Sequence, residues 1–196
     1  MTIPMTAAML ARFQDGFERA EAAQVPEPTA MTLATVDEQG RPSARTLLLK
    51  GVDGDGFVFY TNLESRKGRQ LAGNGNASMV FFWRELYEQV KIDGWAEPVS
   101  HEEADAYFAS RPRGSQIGAW ASLQSQPLDS RATFEQRLAE VEQRYTDQEV
   151  PRPPHWSGFR LRPRRVEFWY GRQYRLHERV CFEVVDKEWR ETLLFP

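Results

Sequence analysis

The stretch Arg175-Leu176-His177-Glu178-Arg179, close to the C-terminus and just after Val166-Glu167-Phe168-Trp169, concentrates residues able to do chemistry. Read as an extended strand, its alternation places Arg175, His177 and Arg179 on one face, with Leu176 and Glu178 on the other. A folded interior does not tolerate guanidinium groups unless an anion or an acceptor meets them. Such a face suits anion binding or proton handling. The alternative is an edge strand carrying ordinary surface charge.

Two further clusters are of the same character. Arg45, Lys50, Thr61, Ser65, Arg66 and Lys67 combine hydroxyls with cations, and Arg66 and Lys67 fall in the first turn of a predicted helix. Cations oppose the positive end of a helix dipole, so their placement there is unfavourable unless an anion shares the site. A solvated basic turn is the plainer reading. Tyr107 and Arg111 lie one helical turn apart, and the Pro112 break lets Ser115 head the next turn and point back toward them. One guanidinium and two hydroxyls have the makings of a site for a phosphate monoester. The competing reading is a tyrosine packed on an arginine stem, with Ser115 as an N-cap. Gln89, Gln124 and Ser125 form a weaker set, able to read the polar edge of a planar heterocycle.

Other chemistries find little support. His101, His155 and His177 lack metal-ligand spacing, so no metal is expected. No Ser–His–acid triad, GxSxG elbow or GxGxxG fingerprint occurs. Cys181 is the single cysteine, which excludes a disulfide framework, and its apolar neighbours suggest an inert thiol. A net charge of -3 draws in neither nucleic acid nor acidic lipid. No signal-peptide pattern and no run of membrane-spanning length is seen, so a cytoplasmic location is the default expectation.

The 196 residues are expected to form one domain. Met9, Phe13 and Phe17 recur at helical spacing, so residues 5–23 read as an amphipathic helix. Strands are predicted at 31–36, 43–50, 57–60, 79–83 and 86–95, and a short helix, with Thr61, Asn62 and Ser65 as candidate caps, is predicted through Leu71 with Gly73 closing it. Ser100-His101-Glu102-Glu103 has the form of a capping box and opens a helix that Pro112 stops. Further helical segments follow at 115–120 and from about 130, where Phe134, Leu138, Val141 and Tyr145 share a face. Pro151, Pro153 and Pro154 make a stiff connector. Strands close the chain at 159–161, 166–170, 176–184 and 189–195. The expected organisation is a first barrel half over 25–100, a helical insertion over 101–150 and C-terminal strands over 156–196. Strands joined by tight turns argue for an antiparallel sheet curled into a small barrel. The fold class is therefore mainly β with helical additions.

In order along the chain, several long motifs resemble the pyridoxine/pyridoxamine 5′-phosphate oxidase family. They are Pro28-Thr29-Ala30-Met31, Ala34 to Glu38, Arg45 to Lys50, Phe59 to Asn62, Ser65-Arg66-Lys67, Tyr107 to Arg113, Ser115 to Trp120, Val166 to Trp169, and Arg175 to Arg179. The resemblance implies a split β-barrel homodimer with FMN at the subunit interface. It implies that Arg45, Thr61, Arg66 and Lys67 hold the FMN phosphate. Thr46, Lys50, Tyr60, the Leu47, Leu48 and Leu49 backbone and Gln89 would line the rest of the flavin site, with Gln124 and Ser125 nearby. Trp169 and Arg179 would reach the flavin from the partner subunit. Lys50, Tyr107, Arg111 and Ser115 match substrate-phosphate positions, and Arg175 and His177, the implied catalytic residues, match positions over the substrate's pyridine ring. The implied reaction moves a hydride from the substrate's C4′ to flavin N5, and dioxygen returns as hydrogen peroxide. A related FMN oxidase acting on another ring, such as a phenazine precursor, is the enzyme alternative. A non-catalytic binder of flavin or pyridoxal phosphate is the other. The chain departs from the family pattern in lacking an N-terminal Arg-Arg-x-Tyr stretch and in carrying Leu193 where many members have arginine.

Overall fold

The computed structural model describes residues 3–196. α1 (Ala7–Ala22) starts at Thr6, whose hydroxyl accepts from the Met9 N–H, and it buries Met9, Phe13 and Ala20. The first strands are β1 (Ala30–Val36), β2 (Pro42–Leu48), β3 (Gly51–Asp53) and β4 (Gly56–Asn62). α2 (Arg66–Gly73) precedes β5 (Asn76–Trp83) and β6 (Glu88–Pro98). Three helices follow, α3 (His101–Ser110), α4 (Arg113–Ala121) and α5 (Arg131–Arg144). The chain ends with β7 (Trp156–Tyr170), β8 (Glu178–Val185) and β9 (Glu188–Leu194). Among the described residues no helix is long and apolar enough to cross a membrane.

All the strands among the described residues belong to one nine-stranded antiparallel sheet that runs β2-β1-β5-β6-β7-β4-β3, with β8 and β9 added beyond β7. Its two ends are joined by the chain itself. From β2, residues Leu49 and Lys50 pass straight into β3, the Leu49 N–H bonding the Thr29 carbonyl and the Lys50 N–H the Val58 carbonyl, both at 2.9 Å. The sheet therefore curls into a split barrel. Inward-facing Met31, Leu33, Phe57, Phe59, Met79, Phe81, Ile92 and Leu161 fill it, and α1 covers it with Phe13 packed edge-on against Phe57 and Phe81. A second apolar cluster of Phe108, Ile117, Ala121, Val141, Val150 and Trp156 holds α3, α4 and α5 against the barrel.

Beyond the short β3, absent from the predicted strands, the structure differs from the predicted elements in two places. The segments read as separate strands at 159–161 and 166–170 are one strand, β7. Pro163 and its arginine neighbours interrupt the apolar period, but the proline, which has no N–H to donate, lies beside a bulge where the β6–β7 register shifts between Asp93 and Gly94. On either side of that bulge β7 changes partner, pairing β4 through Trp156–Leu161 and β8 through Arg165–Tyr170. The second difference concerns Arg175 and His177. They precede β8 in a turn where Tyr174 (φ 56°) and Arg175 (φ 61°) are both left-handed, a conformation no strand adopts.

Candidate active site

A cavity of about 900 Å³ opens between the barrel and the helical insertion. The strand β2 and the residues after it contribute Thr46, Leu47, Leu48 and Lys50, and β4 contributes Tyr60, Thr61 and Asn62. Lys67 enters from α2, while Tyr107 on α3, Arg111 just past its C-terminus and Ser115 on α4 form the opposite wall, with Gln124 beyond them. Lys50, Thr61 and Lys67 of the first sequence cluster and Tyr107, Arg111 and Ser115 of the second thus line one cavity, whereas Arg45, Ser65 and Arg66 do not.

Lys67 is 7% exposed, and its ammonium donates to Thr61 Oγ1 at 3.0 Å, Gln124 Oε1 at 2.9 Å and Ser65 Oγ at 3.4 Å. Burial, followed by the charge of Arg45, pushes its pKa down to about 8. Ser65 also caps α2, accepting from the Gly68 N–H at 3.2 Å, so the same hydroxyl starts the helix and touches the cation. Across the cavity, burial lowers the Arg111 pKa, and its Nη1 is buried without any hydrogen-bond partner. None of the ion pairs among the described residues involves Arg45, Lys50, Arg66, Lys67 or Arg111. Buried cations without counter-charges are costly, and bound anions relieve that cost.

Other predicted site residues lie elsewhere. Arg45 turns its guanidinium into the sheet, donating to the Leu33 carbonyl at 3.1 Å, to Thr35 Oγ1 at 2.7 Å and to Ser43 Oγ. Burial and the charge of Arg66 lower its pKa, so these two cations are neighbours. Arg66 itself is exposed and faces a shallow pocket with Asp37, Glu38, Arg41 and Arg69. Leu49 is buried in the core, and Ser125 is exposed with a left-handed φ of 70°.

Gln89 does not accompany Gln124. It pairs across the sheet with Trp169, which pairs in turn with Arg179, so these three form a row on one face. Their strand neighbours Val90, Phe168 and Val180 point into the core, so the row is on the sheet's other surface. Arg179 is held by Glu167, at 2.8 Å from Nε, and by the Phe195 carbonyl at 2.9 Å. Burial would raise the Glu167 pKa, but hydrogen bonds from Arg165 and Arg179 outweigh it and the net shift is downward. The His177 ring packs on Trp169 with centroids 4.5 Å apart. Its Nδ1 accepts the Arg172 backbone N–H at 3.1 Å, which leaves Nε2 as the N–H donor of the neutral ring. Arg175 is exposed beside it. Within one chain this row, with Arg175 and His177, does not line the cavity.

The family model for pyridoxamine 5′-phosphate oxidase matches residues 17–145, and that for the pyridoxine 5′-phosphate oxidase C-terminal dimerisation region matches 156–196. The chain belongs to the pyridoxamine 5′-phosphate oxidase family. A pyridoxine/pyridoxamine 5′-phosphate oxidase from Myxococcus xanthus is 56% identical over 94% of this chain and 90% of its own length. One from Sphingopyxis alaskensis is 53% identical over 100% of this chain and 91% of its own. Among solved structures, PhzG from Burkholderia lata, in complex with tetrahydrophenazine-1-carboxylic acid, is 35% identical with a TM-score of 0.91, covering 95% of this chain and 92% of that one. An FMN-binding protein from Nostoc punctiforme related to pyridoxamine 5′-phosphate oxidase shares the fold at 20% identity and a TM-score of 0.77, over 97% of this chain and 98% of that one. The oxidase family's split barrel is the fold described above, and its dimerisation region here comprises β7, β8 and β9.

The cavity also has lining residues that sequence reasoning did not single out: Asn62, Ser110, Ser122 and Trp156. Their types are ordinary and their spacing irregular. Asn62 and Trp156 come together only because they are register partners on β4 and β7.

Proposed function

We propose that the protein is an FMN-dependent oxidase that converts pyridoxine 5′-phosphate or pyridoxamine 5′-phosphate to pyridoxal 5′-phosphate. The observation that carries this reading is one cavity lined both by Lys67 with Thr61 and Gln124 and by Tyr107, Arg111 and Ser115, its cations unneutralised. Two phosphate-bearing planar molecules suit such a cavity. The residues present fit the FMN phosphate at the α2 end, where Lys67 meets two hydroxyls, with Arg45 and Arg66 close by. When bound, FMN supplies the chemistry of accepting a hydride from substrate C4′ at N5 and returning the electrons to dioxygen as hydrogen peroxide.

The protein's own residues bind and orient. Tyr107, Arg111, Ser115 and Lys50 take the substrate phosphate, and backbone from Thr46 to Leu48 flanks the ring site. Gln89, Trp169 and Arg179, with Arg175 and His177, complete the site from a second subunit of a homodimer, since they face away from the cavity of their own chain. There the Nε2–H of His177 is placed to donate to a ring oxygen, and Arg175 to steer the reacting substituent.

The likeness to PhzG favours a second reading, oxidation of a phenazine precursor. That reading gives Tyr107, Arg111 and Ser115 no phosphate to bind. The FMN-loaded protein is expected to release hydrogen peroxide with pyridoxine 5′-phosphate in air and to bleach with it under argon, unphosphorylated pyridoxine competing poorly. A flavin that stays oxidised under argon with this substrate rejects the proposal. In the same assay Arg175→Ala should lower kcat far more than flavin content.

A further inference from the structure

Trp156 lies at the first position of β7, 7% exposed, and forms part of the cavity wall. Its indole is parallel to the rings of Tyr60 and Tyr107, within 4° of each, at centroid separations of 5.3 and 6.2 Å. Tyr60 and Tyr107 themselves stack at 3.9 Å. Phe108 meets the indole edge-on at 5.1 Å. The Arg111 guanidinium carbon sits over the Trp156 ring, 4.7 Å from its centroid. Among the described residues Arg111 has no carboxylate partner, and its buried Nη1 lacks any acceptor. Arg111 also lies over the Phe108 ring, at the longer distance of 5.5 Å, so the π face of Trp156 is the nearer of the two that hold this charge at the cavity wall. An indole provides the strongest such face among the side chains, and a leucine of similar apolar character provides none.

We propose that Trp156 is a positioning residue that holds Arg111 and Tyr107 in the posture that receives a phosphate, and so sets the preference for a phosphorylated substrate over its unphosphorylated counterpart. The proposal rests on the oxidase reading for the identity of that substrate, but not for the anion site itself. A ring that merely filled the core would affect both substrates alike. One that aims the guanidinium affects the phosphorylated one alone.

The test uses FMN-loaded protein and the variants Trp156→Phe and Trp156→Leu. Binding of inorganic phosphate is titrated by calorimetry, and kcat and KM are measured for pyridoxine 5′-phosphate and for pyridoxine. Phosphate affinity should fall by about tenfold in Trp156→Leu and by about threefold in Trp156→Phe, the range expected for a lost or weakened cation–π contact. KM for pyridoxine 5′-phosphate should rise in step while KM for pyridoxine stays constant. Unchanged phosphate affinity in the variants, a parallel rise of both KM values, or no phosphate binding by the parent protein overturns the proposal. If Trp156→Leu does not fold, Trp156→Phe decides by the same phosphate titration. A parent protein that binds phosphate yet never oxidises pyridoxine 5′-phosphate defeats the oxidase reading alone, because the calorimetry still reports on Trp156.

Discussion

Lys67 shows how a single side chain would serve the proposed anion site. A lysine ordinarily holds its proton to a pKa of 10.5, but in the folded chain burial brings that down to about 8. Between those values the unfolded chain binds more protons, so the ligand-free protein should gain stability as pH rises from 8 toward 10.5. Anion binding runs the other way, because it needs the ammonium. FMN affinity is expected to hold steady below pH 8 and weaken above it, the inflection disappearing in Lys67→Arg, whose charge persists. Flavin titrations across that pH range in both proteins check this. A parent affinity flat to pH 10 would mean that Lys67 does not contact the bound phosphate. Arg45 was legible in the sequence as a cation. Its hydrogen bonds to Leu33, Thr35 and Ser43 were not, because they depend on which strand lies alongside β2.

At the scale of elements, α2 brings Lys67 to the cavity and needs close packing to do so. A Cβ on Gly68 would collide with the Leu63 carbonyl oxygen and approach that of Asn62 at 2.7 Å, and these are backbone atoms that cannot move aside. Gly68→Ala should therefore cost about 1–3 kcal/mol in a denaturant melt and reduce flavin retention, the helix start being displaced. Full stability in that variant would show that α2 can shift without loss. A cap among Thr61, Asn62 and Ser65, which the structure assigns to Ser65, and the alternating strands were readable because they follow local rules of capping and period. The single long β7 and the turn at Tyr174 and Arg175 were not. Sequence period does not register a bulge that a neighbouring strand accommodates, and left-handed φ values at non-glycine residues carry no reliable signature.

At the scale of the whole molecule, the C-terminal part of the chain leaves apolar side chains in the open: Tyr174 at 88% exposure, Leu176 at 67%, Leu193 at 77% and Phe195 at 93%. They belong to the region that matches the family's dimerisation model, and the proposed second subunit would cover them. Leu176→Asp is expected to shift the protein toward monomer in sedimentation and to lower flavin content with it, since Gln89, Trp169 and Arg179 would no longer reach a cavity. A variant that stays dimeric and fully yellow removes this surface from the interface.

The sequence by itself determined residue chemistry and local form: which side chains are cationic, where helices start, which strands alternate, and the ordered motifs that resemble the oxidase family. Tertiary structure alone decided assembly. It set Gln124 against Lys67 rather than beside Gln89, stacked Trp156 under Arg111, and put Gln89, Trp169 and Arg179 on the sheet face opposite the core. The physical reason is range. Capping, periodicity and turn chemistry act over a few residues, whereas Lys67 meets Gln124 and Asn62 meets Trp156 across long chain separations, through strand register and packing that no local pattern specifies.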